Sequence, residues 1–183
     1  MKKLPLTIAV LCLATIIPAA AQTLSVSTNV LDCSMGTVNA EVSWAFDRHF
    51  TFNASGRYNP WENTAQEDAH FNKCRGAAAG VRYWAWNAHS GWWLGLKARY
   101  EEYSRHTTRM TWAEEGDAFG GGFSAGYAWM LGKHFNLDLG AGLWGGGRSF
   151  TKYSCPHCGR VIERGTDAFI EPHEIQASIV YIF

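Results

Sequence analysis

From Leu24 onward the chain reads in twos. Runs of alternating large apolar and small or polar residues recur, each closed by turn chemistry, with no sustained helical period. Eight runs predict eight strands: Leu24 to Cys33, Asn39 to Phe46, Phe50 to Tyr58, Ala77 to Trp86, Trp92 to Tyr103, Phe119 to Leu131, Phe135 to Phe150 and Ile170 to Phe183. Asp47-Arg48-His49, Asn87 to Gly91 and Gly132-Lys133-His134 make tight turns. A short connection near Ser34 to Val38 and long ones over Asn59 to Gly76, Ser104 to Ala118 and Tyr153 to Phe169 fall at the other end. Short turns at one end and long loops at the other predict an all-β, eight-stranded, antiparallel up-and-down barrel of the outer-membrane kind.

The alternation sorts bulky residues from charged ones. Trp92, Leu94, Leu96, Ala98 and Tyr100 oppose Lys97, Arg99 and Glu101. Phe119, Phe123, Tyr127 and Trp129 oppose Gly120, Gly122, Ser124 and Gly126. A soluble ligand-binding barrel would alternate identically with the apolar face inward. An eight-stranded interior, however, is filled by side chains alone, and this apolar face carries too many rings for it. The rings are therefore expected outside, facing lipid. The interior is expected to hold Glu41, Arg57, Arg82, Lys97, Arg99, Glu101, Asp138, Arg148 and Glu174, four acids against five bases, as a closed salt-bridged lumen without a wide pore. Trp44, Phe46, Phe50, Trp92, Trp93, Trp129 and Phe135 are expected to form the girdle on the turn side.

Before the first run, Lys2 and Lys3, an apolar stretch from Leu4 to Ile17 and Pro18-Ala19-Ala20-Ala21 predict a signal peptide over residues 1–21 and a barrel domain over 22–183. The apolar stretch is too short for a spanning helix. Export to the outer membrane follows, with its lipids and the barrel-insertion machinery as partners. Ile179, Tyr181 and Phe183, spaced by two at the chain end, form the insertion signal.

Composition narrows the class further. The 183 residues include 19 Gly, 9 Trp, 10 Phe and 7 Tyr but only 17% charged residues, which excludes disorder, coiled coil and collagen. Sixteen basic residues balance sixteen acidic ones, and loss of Lys2 and Lys3 leaves fourteen basic. Such a chain has no field to select nucleic acid, and a monomer is expected.

Several motifs suggest chemistry. Cys155-Pro156-His157-Cys158 has the spacing of a redox pair or half a zinc site, yet lacks the βαβ setting of the first. Cys33 and Cys74 fall at the same end. Exported cysteines are by default disulfide-bonded, with 155–158 and 33–74 the leading pairing; a metal-binding surface loop is the alternative, and other pairings remain open. Gly140 to Gly145 matches G-x-G-x-x-G but continues into strand, so its glycines relieve lumen crowding and bind no nucleotide. No cofactor is expected. A lipid-modifying or proteolytic enzyme would need a nucleophile, base and acid converging near the loops. The available residues are His70, His106, His157 and His173 with Asp68, Glu114, Glu115, Asp117 and Glu171, and no His and Ser share a strand face there. The enzyme stays a runner-up to a structural or surface-binding role. Trp61, Arg105, Arg109, Trp112, Arg160 and Arg164 are the loop residues placed to contact lipopolysaccharide phosphates or a protein partner.

Tyr58-Asn59-Pro60-Trp61, Arg82-Tyr83-Trp84, Gly126-Tyr127 with Leu131-Gly132 and Asn136-Leu137, Tyr153-Ser154-Cys155 with Cys158-Gly159, and the ending Ile179 to Phe183 together resemble the family called domain of unknown function 3575. The resemblance implies a small exported outer-membrane barrel of Gram-negative anaerobes, in some members linked to fimbria-related gene neighbourhoods. It implies no catalytic residues.

Overall fold

The computed structural model describes residues 23–63, 70–106, 112–154, 160–172 and 175–183. Residues 1–21, expected to form a signal peptide, and Asp68, Arg109, Cys155, His157, Cys158, His173 and Glu174 lie outside them. The strands are β1 (Leu24–Asn29), β2 (Val38–Ala45), β3 (Phe50–Asn59), β4 (Glu62–Asn63), β5 (His70–Trp84), β6 (Gly91–His106), β7 (Ala113–Met130), β8 (Phe135–Tyr153), β9 (Val161–Pro172) and β10 (Gln176–Ile182). One short helix, α1 (Val30–Ser34), follows β1.

All pairings are antiparallel, in the order β10-β1-β2-β3-β5-β6-β7-β8, and β10 pairs back onto β8 to close an eight-stranded barrel. The two-residue β4 pairs with β5 alone. β9 is the additional strand. It continues the β8 ladder above β10, from Leu143 opposite Pro172 to Tyr153 opposite Val161.

Tight hairpins close one end. The Asp47 carboxylate accepts from the His49 N–H at 3.0 Å, and His89 and Gly91 take positive φ of 64° and 77° at the β5–β6 turn. At the opposite end Asn29 caps α1 by accepting from the Leu31 N–H at 3.2 Å, and Gly36 at φ 80° turns the chain back into β2.

Two runs and three connections are corrected by these elements. The first does not continue to Cys33, because the Asn29 cap diverts it into α1. The Asn59 to Gly76, Ser104 to Ala118 and Tyr153 to Phe169 connections are largely strand, supplied by the upper parts of β5 to β8 and by β9. The last run breaks between Pro172 and Gln176, where the chain passes from β9 to β10.

The register fixes the faces. Even positions of β5, β7, β8 and β10 and odd positions of β1, β2, β3, β6 and β9 point inward, since each is opposite an inward residue of its neighbour. Outward lie Val42, Trp44, Phe52, Val81, Tyr83, Leu94, Leu96, Phe119, Phe123, Leu139, Leu143 and Ile179, all exposed. The turn-side rings touch one another: Trp44, Phe46, Phe50 and Tyr83 in one arc, Trp86, Trp92, Tyr127 and Trp129 in a second, Phe135, Tyr181 and Phe183 in a third. Trp93 is not among them. Adjacent to Trp92 on one strand, it must face the other way, and it lies inside at 2% exposure against Trp84.

Candidate functional site

The interior is stacked in three levels. At mid-height Arg82 donates from Nη2 to Glu41 at 2.8 Å and from Nη1 to Asp138 at 3.1 Å, while Lys97 Nζ reaches the second Glu41 oxygen at 2.8 Å. Asp138 also accepts from the Trp93 indole at 2.6 Å and from Gln176 at 2.9 Å, and Asn53 donates to Glu41 at 3.1 Å. The Arg82 guanidinium lies 4.4 Å from the Trp93 ring centroid. Two acids and two bases from four strands thus neutralise each other with most of their hydrogen-bonding capacity used. This level obstructs the barrel axis.

Below it the β5–β6 turn folds inward. His89 is buried; its ring meets Trp84, its Nδ1 lies 3.4 Å from Ser25 Oγ, and its carbonyl accepts from Asn136. Burial, with Arg82 as a secondary cause, depresses the imidazole pKa to about 4. The Ser25–His89 pair has the composition of a nucleophile and base, yet the void beside it is only about 10 Å³, which leaves no room for substrate.

Above the central cluster the lumen widens into a cup of about 240 Å³ lined by Arg57, Glu101, Tyr103, Arg105, Trp144, Arg148 and Phe169, among others. Arg57 lies 3.5 Å from Glu101 and 3.8 Å from Asp32. Arg105 pairs with buried Glu114 at 2.8 Å, and Arg148 with Asp167 at 2.7 Å and Glu171 at 3.3 Å. Arg99 lies 5.3 Å over the Trp144 ring, which packs edge-on against Phe169. The cup can hold a small polar or aromatic molecule. Arg57, Arg105 and Arg148 each already have an acid, so the cup has no strong net attraction for an anion.

The structure brings Glu41, Arg82, Lys97 and Asp138 into one cluster and Arg57, Glu101 and Arg148 into the cup, with Arg99 between. Sequence reasoning assigned no lumen role to Asp32, Glu114, Asp167 and Glu171, although the period of two would have placed the last three inward had their strands been recognised. Of the catalytic candidates, His106 is tied through Nδ1 to the Trp112 carbonyl at 3.0 Å, Glu114 is held by Arg105 and Tyr103, and Glu115 and Asp117 face outward beside Ser104 and Tyr100.

Of the expected cysteine pairings, 33–74 is not formed in the structure and 155–158 lies outside the described residues. Cys33 and Cys74 are both free thiols. Cys33 sits exposed on α1 beside Thr28 and Asn39, whereas Cys74 is buried on β5 opposite Asn59 and Tyr103, so helix and strand hold them in different settings. Among the described residues no group of three or more His, Cys, Asp or Glu is gathered to hold a metal. Trp61 donates its indole N–H to the Gly36 carbonyl at 2.8 Å and so braces the α1 turn.

A family profile described as "Protein of unknown function (DUF3575)" matches residues 6–183. The chain belongs to the DUF3575 family. No curated protein and no solved structure matches it. In this DUF3575 protein the quoted motifs fall on the parts that close the barrel: Arg82 and Trp84 in the lumen, Gly126 under Trp93, and Ile179 to Phe183 along the β10 seam with β1.

Proposed function

We propose that this DUF3575 protein is an exported outer-membrane barrel of Gram-negative bacteria with a closed lumen, acting in a structural or surface-binding role through its loop end. The observation that carries the reading is the inversion of an ordinary core: buried charges fill the axis while the large aromatic and aliphatic residues stand exposed outside. In water that exterior would be an aggregation surface; in lipid it is the favourable face. The apolar band on β7 runs from Trp129 to Phe119, eleven residues or ten steps along the strand. At roughly 3.3 Å per residue and a tilt near 40° this is about 25 Å, the height of an outer-membrane hydrocarbon belt.

Residues 1–21 supply the export signal in this reading, and Ile179, Tyr181 and Phe183 the strand taken up by the insertion machinery. The neutral charge balance gives no basis for nucleic-acid binding, and the completed ladder around the belt makes a monomer sufficient. The central ion cluster argues for a plug and against a channel.

Electrophoresis of the membrane fraction with and without boiling tests the reading. An unboiled form of altered mobility, extracted only by detergent and giving no discrete conductance in planar bilayers, is expected. A soluble periplasmic species whose mobility is unchanged by heat would overturn it.

A further inference from the structure

The barrel is not equally tall all round. β1, β2 and β3 have 6, 8 and 10 residues, whereas β5 to β8 have 15 to 19. The tall side ends at β9, whose second edge would be covered if β1 continued upward. It does not, because Asn29 caps α1 and turns the chain away. Among the described residues β9 pairs with β8 alone. Among the described residues the twelve-residue strand therefore presents one edge of N–H and C=O groups without a strand partner, and all of its residues but Gly165, Phe169 and Glu171 are exposed.

Two features say what the edge accepts. Its inward-facing acids Glu163, Asp167 and Glu171 recur every four residues with side chains 54%, 40% and 42% exposed, despite their pairs with Lys152 and Arg148. Its outward face carries Ile162 at 59% and Ile170 at 79% exposure, with Thr166 between. Directly opposed residues of an antiparallel pair sit about 5 Å apart and reward opposite charge and apolar contact. We propose that the β9 edge is a strand-addition site for an extended segment of a partner protein in which Lys or Arg alternates with Val, Ile or Thr.

A second copy of this chain does not fit. Two barrels inserted the same way in one membrane run their β9 strands in the same direction, so an antiparallel β9–β9 pair would require one to be inverted. The register placing Asp167 opposite its own copy would also set Glu163 against Glu171. The proposal rests on the reading of the loop end as the exposed, binding end.

The test uses the full chain refolded in detergent, with heat-modifiable mobility scored separately so that loss of the barrel is distinguished from loss of the edge. The probes are two labelled octapeptides of equal strand propensity, one alternating lysine with valine and one alternating glutamate with valine. Expected are binding of the lysine peptide alone, slowed amide exchange confined to residues 161–172, and weakening by about threefold to tenfold in E163Q/E171Q. Adjacent residues of an antiparallel strand aim their N–H groups at opposite neighbours. Of G165P and T166P, one therefore keeps the heat-modifiable mobility and abolishes binding. Equal binding of both peptides, protection elsewhere, no binding, or concentration-dependent dimers cross-linked through T166C would overturn the proposal.

Discussion

Single side chains decide whether the lumen is a plug. Arg82 answers both Glu41 and Asp138, so removing it leaves two buried carboxylates with Lys97 as the remaining cation in the cluster. Breaking a buried ion pair from one side costs about 3–5 kcal/mol. R82A is expected to lower the urea-unfolding stability of the refolded barrel by that amount, and K97M by less, since Glu41 would keep Arg82. Equal losses in the two would show that Arg82 does not hold the cluster. His89 gives the lumen a pH dependence of definite sign. Folded, it stays neutral down to about pH 4, whereas the unfolded chain protonates near 6.5. The unfolded state thus binds the additional proton between these values, and stability falls as pH drops from 6.5 toward 4, by about 3 kcal/mol in all. Urea midpoints across that window should decline in the native protein and decline less in H89Q; parallel slopes would assign the effect to other groups.

At the scale of elements, packing is set by where rings meet glycines. Trp93 can lie inside only because Gly140 and Gly126 on the neighbouring strands have no side chain. A Cβ at Gly140 would come within 2.6 Å of the indole, and at Gly126 within 2.5 Å. G140V is expected to displace Trp93 from Asp138, seen as a shifted tryptophan emission and a stability loss of about 1–3 kcal/mol for overpacking. W93F in the same chain should recover part of that loss, whereas W93F alone should cost stability; a G140V emission identical to native would mean the ring has not moved. The same strands explain what the sequence displayed. Trp92 and Trp93 are neighbours and cannot share a face, so the period of two already places one of them inward, against the expectation that both join the girdle at the strand end. β9 was not legible in that way. Above the apolar belt both faces of a strand meet water, and Arg164 and Thr166 outside alternate with Glu163 and Asp167 inside, which leaves no hydrophobic rhythm to mark a strand. The upper parts of β5 and β7 lack the rhythm for the same reason, so the inward acid Glu114 on β7, like Asp167 and Glu171 on β9, carries no strand signal. The short β1 escaped for another: Asn29 acts as a cap only if the following residues turn, and a local contest between strand and helix leaves no long-range signature.

For the whole molecule the decisive quantity is which surface meets hydrocarbon. The three arcs of touching rings lie at the turn end, while Tyr100 and Phe119 stand opposite each other at the upper limit, beyond which Glu102, Asp117 and Ser149 face outward. A barrel seated between these limits puts Trp44, Trp92 and Trp129 at the lower interface and the aliphatic residues Leu94, Leu96 and Leu143 at depth, while Trp84, Trp93 and Trp144 stay shielded by the wall. Reconstitution into bilayers of lipids brominated at defined chain positions separates these populations, because bromine quenches only rings it can approach. Quenching is expected to be strongest with bromine near the headgroup end and to vanish largely in W44F/W86F/W92F/W129F, even though Trp84, Trp93 and Trp144 still emit. Removing the three buried tryptophans instead should leave the depth profile unchanged. A profile carried by the buried set, or quenching no greater in bilayers than with a water-soluble bromide, would place the rings away from lipid and return the barrel to an aqueous setting.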